Sequence, residues 1–166
     1  IDLSPENIPL IMQKIKSLPA DQQSEMLSLI DEWERAKSKD LASKKFLYFV
    51  NRMWPDFISG RHHKIIAEKF EEIASGKLRR LIITLPPRHT KSEFGSFLLP
   101  AWFLGKYPKK KIIQSSHTAE LAVGFGRKVR NLVDSDLYKE IFPDTALRVD
   151  SKAAGRWSTS KGGEYF

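Results

Sequence analysis

The stretch Leu81-Ile82-Ile83-Thr84-Leu85-Pro86-Pro87-Arg88-His89-Thr90-Lys91-Ser92 constrains the fold of this chain more than any other. A β-type apolar run meets two adjacent prolines, then a basic loop, then a lysine and a hydroxyl at the head of an amphipathic segment. That order predicts a strand, a loop and a helix. It is the layout of a phosphate-binding P-loop, in which backbone N–H groups, a helix N-terminus, a lysine and a hydroxyl together hold a nucleotide triphosphate and its magnesium.

The match to G-x-x-x-x-G-K-[ST] is partial. Lys91 and Ser92 take the lysine and hydroxyl positions, but Leu85 and Thr90 stand where the glycines belong. Glycine permits backbone angles that a side chain resists, so Thr90 must adopt either an ordinary conformation or a strained one. Pro86 and Pro87 fix their own φ and preset part of the loop. In the functional reading Lys91 neutralises phosphate charge, Ser92 ligates Mg2+, and backbone N–H groups from about His89 to Ser92 wrap the phosphates, with Pro87 shaping the turn. Arg88 is placed to touch a γ-phosphate and stabilise transition-state charge in cis. The bland alternative is a basic turn in which Lys91 only snorkels.

Apolar periodicity organises the rest. Ser4-Pro5 is a helix start with Ile8, Ile11, Met12 and Ile15 as its stripe, and Asp21 caps a second helix carrying Met26, Leu27, Ile30 and Trp33. Residues 1–40 therefore read as a helical arm or hairpin, and 41–166 as the main domain. Phe46 to Trp54 reads as a helix stopped by Pro55. His62-His63 opens the next, closed by Gly76. Arg80 to Leu85 reads as a buried strand, Ser92 to Leu104 as a helix ended by Gly105, and Lys111 to Ser116 as a second strand. A helix from His117 or Thr118 to about Val133 follows, then a short one from Asp134 or Ser135. Arg156–Thr159 and Glu164–Phe166 read as a hairpin around Lys161-Gly162-Gly163. Strands alternating with helices predict a three-layer α/β fold of the P-loop NTPase kind, with a largely parallel central sheet preceded by a helical region. Ligands bind such sheets beyond the carboxyl ends of the strands. Both the 86–92 loop and Ser115-Ser116-His117 are expected there.

Composition narrows the function classes. The 166 residues carry a formal charge of +8, which points to a polyanion partner. No cysteine is present, which excludes disulfides and thiolate metal sites. No run approaches the roughly 18 apolar residues of a membrane span. No secretory leader is visible at Ile1-Asp2-Leu3-Ser4-Pro5, so the expectation is a non-secreted protein without a membrane partner. Adjacent His62 and His63 diverge on a helix and have no third ligand nearby, which argues against zinc. Ser115, Ser116 and His117 lack a nucleophile elbow and a placed acid, which argues against a serine hydrolase.

Several of these anchors occur in a characteristic succession: Phe57-Ile58, Gly60-Arg61-His62-His63, Leu81-Ile82-Ile83, Pro86 to Ser92, Lys111 to His117, Leu137-Tyr138, Ile141-Phe142-Pro143, Arg156-Trp157 and Gly162 to Phe166. From about Phe46 to Phe166 the chain resembles the ATPase domain of the large terminase subunit of tailed bacteriophages, whose loop typically reads Pro-Pro-Arg-His-Gly-Lys-Ser. Thr90 departs from that glycine. The resemblance implies ATP and Mg2+ as cofactors and places the protein in the bacterial host cytoplasm. It implies double-stranded DNA, a portal protein and a small terminase subunit as partners, and a ring of identical subunits in the working motor. It makes Pro55, Phe57 and His63 candidates for the base pocket, with helix capping and core packing as the competing reading. Arg127, Arg130 and Arg156 become candidates for an arginine acting in trans, although Arg127 and Arg130 lie three apart on one helix face and equally suit solvent. It also implies truncation before the Walker B strand and its glutamate, and absence of the nuclease domain, so the fragment alone is expected to hydrolyse ATP weakly or not at all. Two other readings stay open: a different P-loop helicase or translocase ATPase, and a non-enzymatic nucleic-acid-binding module with a degenerate loop.

Overall fold

The computed structural model describes residues 13–153 and 155–166. The expected helix start at Ser4-Pro5, with Ile8, Ile11 and Met12, lies outside them. Two compact units divide the chain, one ending at Ser38 and the other running Lys39–Phe166. Helix α1, Ala20–Lys44, runs through that division. In the first unit Met26, Ile30 and Trp33 are half-buried, Leu29 is exposed, and the Lys37 ammonium sits 4.5 Å from the Trp33 ring centre.

In the second unit, α2 is Phe46–Met53 and α3 is Arg61–Ala74. A π-helical stretch, Glu93–Leu98, leads into α4, Leu99–Lys106. The strand β1, Lys111–Ile112, precedes α5, Ala119–Asp134, and α6, Asp136–Ile141. Three strands close the chain: β2, Leu147–Lys152; β3, Trp157–Thr159; and β4, Glu164–Tyr165. Local chemistry sets most boundaries. Thr118 caps α5 by accepting from the Leu121 N–H, and Ser135 caps α6 by accepting from Tyr138. Gly76, at φ 79°, follows the end of α3 in the left-handed conformation that helix ends favour. The π-helical stretch accommodates Pro100. The Leu99 N–H reaches back five residues to the Phe94 carbonyl, and Pro100 then has no N–H to place.

Phe46 is the hub of the core, edge-on to Phe70, Phe94 and Trp102 at 5.2, 5.5 and 5.6 Å. The buried polar tips around it are satisfied: Trp102 Nε1 donates to the Ala42 carbonyl, Tyr138 Oη to Ala101 and Trp157 Nε1 to Gly126. Gly105 does not end a helix as expected but lies inside α4. A Cβ there would come within 2.4 Å of the Phe142 ring, so close packing explains the glycine.

The expected three-layer fold with a central parallel sheet is overturned. The described residues are mostly helical, and their one sheet has four short strands in the order β1-β4-β3-β2. Only β1 and β4 run parallel, while β2–β3 and β3–β4 are antiparallel. Residues 80–85, expected as a buried strand, have no regular secondary structure, join no ladder and are nowhere fully buried. Leu81, Ile83 and Leu85 pack against the core, while Ile82 is 91% exposed. Alternation is therefore present, but only one face is covered, and among the described residues no neighbouring strand supplies hydrogen bonds. The second expected strand is also shorter in the sheet than its composition suggests, though the Gln114 N–H still donates to the Phe166 carbonyl.

Candidate phosphate-binding loop

Nine consecutive residues, Leu85 to Glu93, line a cavity of about 520 Å3. That volume falls in the range of small-ligand sites, about 300–1,000 Å3. The loop becomes concave through two non-glycine residues in the left-handed region, Arg88 at φ 64° and Thr90 at φ 57°. Such conformations cost about 1–3 kcal/mol each and persist only where surrounding contacts hold them.

For Thr90 those contacts are explicit. Its carbonyl accepts from the Phe94 N–H at 2.9 Å, opening the helix that begins at Lys91. Its hydroxyl donates to the His89 carbonyl at 2.7 Å and lies 2.7 Å from His63 Nε2. His63 is buried in the first turn of α3, 4.7 Å from the Phe57 ring and 5.0 Å from Phe94. The other ring nitrogen, Nδ1, accepts from the Gly60 N–H at 2.9 Å. A backbone N–H can only donate, so Nδ1 must be unprotonated and the ring proton sits on Nε2, pointing at Thr90. Burial, then the neighbouring His62 and His89, push the His63 pKa below its ordinary 6.5.

The electrostatics suit an anion. Lys91 and Ser92 are exposed and belong to the first helical turn, whose N–H groups have no intrahelical acceptor. Among the described residues no acidic side chain pairs with Arg88 or Lys91. The one acid in the lining, Glu93, is itself paired with Lys128 of α5 at 3.4 Å. His89 Nδ1 and the Pro87 carbonyl, 2.9 Å apart, brace the loop internally. A second cavity, about 490 Å3, is lined by Lys91 and Ser92 together with Leu81, Ile83 and the Gly95-Ser96 floor. A third, about 440 Å3, shares that floor and carries Gln114 and Ser115. The two expected functional loops thus border one helical floor, although no parallel sheet joins them.

The remaining candidates are dispersed. His63 stands behind Thr90 and is not among the residues lining the cavity. Phe57 packs on His63 and Trp54, and Pro55 is exposed. Arg127 is exposed on α5, and Arg130 donates to its neighbour Asn131 at 2.9 Å. Arg156 lies 3.6 Å from Glu164 and 4.7 Å from the Phe166 ring centre. Ser116 and His117 are exposed. The fit to a nucleotide's magnesium is narrow. Among the described residues no group of three His, Asp or Glu side chains could hold a metal, so Ser92 would supply one hydroxyl and phosphates and water the rest.

Helix capping and core packing, the competing reading for His63, is what the structure shows: its side chain at the third helical position reaches back to the N-cap N–H at capping-box spacing, with histidine in place of glutamate. Its bond to Thr90 is the part that sequence reasoning missed. No family model, curated protein or solved structure matches this chain.

Proposed function

We propose that residues 86–92 bind the phosphate chain of ATP with Mg2+, and that the chain is the nucleotide-binding part of a large terminase subunit that packages double-stranded DNA. The observation that supports this most is the backbone of Arg88 and Thr90, which folds a cationic, acid-poor loop around a concavity at a helix start. A phosphate cradle needs convergent N–H groups, a fixed charge and a hydroxyl, and it does not need a particular sheet behind it. Lys91 supplies the charge, Ser92 the metal-ligating hydroxyl, and Arg88 and His89 flank them. Ser92 would hold magnesium together with the phosphates, and the ion would supply charge neutralisation there. Double-stranded DNA, a portal ring, a small terminase subunit and identical neighbours are the partners proposed for the parent motor; the sequence resemblance and the charge of +8 support them.

Titration with a fluorescent ATP analogue in the presence of Mg2+ tests the reading. Lys91→Ala should weaken binding at least about tenfold, and Ser92→Ala should weaken its magnesium dependence. Equal binding by wild type and Lys91→Ala would refute it.

A further inference from the structure

We infer that His63 is the positioning residue that lets a threonine serve at the glycine position of this loop, and that nucleotide affinity depends on the His63–Thr90 hydrogen bond. The inference rests on the phosphate-binding reading of the loop and adds a residue outside it.

Thr90 is β-branched and sits at φ 57°, where such residues are rare. At that position the side chain, not the absence of one, defines the backbone. The hydroxyl is held from both sides in a single direction of donation: Gly60 N–H to His63 Nδ1, His63 Nε2–H to Thr90 Oγ1, and Thr90 Oγ1–H to the His89 carbonyl. Reversing any link leaves two donors or two acceptors facing each other. The imidazole cannot swing away, because Phe57 and Phe94 pack against it and His62 lies 3.8 Å from its centre. The chain thus ties the first turn of α3 to Thr90, a residue that lines the cavity. Without the tie, Thr90 relaxes toward negative φ, and the loop loses the backbone shape on which the phosphate reading rests. Glycine at this position would need no such support.

Substitutions that retain packing separate this role from simple stability. His63→Phe fills the space between Phe57 and Phe94 but donates nothing, and Thr90→Val keeps the shape of threonine but accepts nothing. Each should weaken binding of the Mg2+-ATP analogue about tenfold, the order expected when a strained backbone residue loses its support. Thr90→Gly should bind within about threefold of wild type, and adding His63→Phe to Thr90→Gly should cost no more than about twofold, because the two sites then no longer couple. Retained binding in that double variant also shows that His63→Phe folds. Nitrogen-15 spectra of the imidazole in the unliganded protein give an independent readout and should show the Nε2–H tautomer of His63.

If Lys91→Ala weakens binding but His63→Phe does not, or if His63→Phe is equally harmful on the Thr90→Gly background, the inference fails while the phosphate reading stands. If wild type and Lys91→Ala bind equally, both fail. An Nδ1–H tautomer overturns the hydrogen-bond chain whatever the binding result.

Discussion

Two of the turns that take the backbone through the left-handed region do so by opposite means. Between β3 and β4 the chain uses glycine: Gly162 sits at φ 91°, and Gly163 lies so close to its neighbours that an added Cβ would be 2.5 Å from the Pro108 carbonyl oxygen and 2.8 Å from that of Lys110. Between Leu85 and Lys91 the chain uses Arg88 and Thr90, and holds Thr90 with a hydrogen-bond chain that ends on another helix. The first solution is written into composition and needs no partner. The second is conditional on a partner 27 residues away in sequence. A glycine turn holds its shape under any conditions in which the sheet survives, whereas a tethered turn responds to whatever alters the tether.

The comparison breaks most sharply at Gly163. Gly163→Ala should cost about 2–3 kcal/mol in urea denaturation, because the methyl meets backbone oxygens rather than a movable side chain. A variant as stable as wild type would show that the hairpin is not held against Pro108 and Lys110. Gly162→Ala should be milder, about 1 kcal/mol, because nothing lies within 4 Å of the added carbon and only the positive φ opposes it.

The smallest expected effect sharpens the other side. His63 titrates below 6.5 when folded, so the unfolded chain binds its proton first as pH falls. The stability contributed by neutral His63 is fully present above about 6.5 and is lost as pH drops from there through the lowered folded value. The groups facing it reinforce that sign: the His62 and His89 rings oppose positive charge on His63, and an imidazolium would turn an Nδ1–H toward the Gly60 N–H. Thermal melts should therefore show a loss of stability over this window that His63→Phe abolishes.

Much of the helical scaffold was legible from caps and stops. Thr118, Ser135 and Gly76 act where local chemistry places them, and the Gly162-Gly163 hairpin forms as its composition demands. The sheet was not legible. Leu81 to Leu85 has strand-like alternation, but alternation reports which side chains face the core and not whether a neighbour shares hydrogen bonds. The loop was half legible. Lys91, Ser92 and Arg88 follow from type and spacing, and the need for special support at Thr90 follows from the missing glycine. That His63 gives the support depends on how α3 packs against the loop, which no local pattern encodes.

The half-covered run from Leu81 to Leu85 has a practical corollary for handling the protein. Oily side chains such as Ile82 beside unshared amides make an adhesive strip, and Ile113, 83% exposed just past β1, offers another. Mutual repulsion from a charge of +8 keeps separate copies apart in dilute, low-salt buffer. Added electrolyte removes that repulsion, so concentrated samples would cloud first where salt is high.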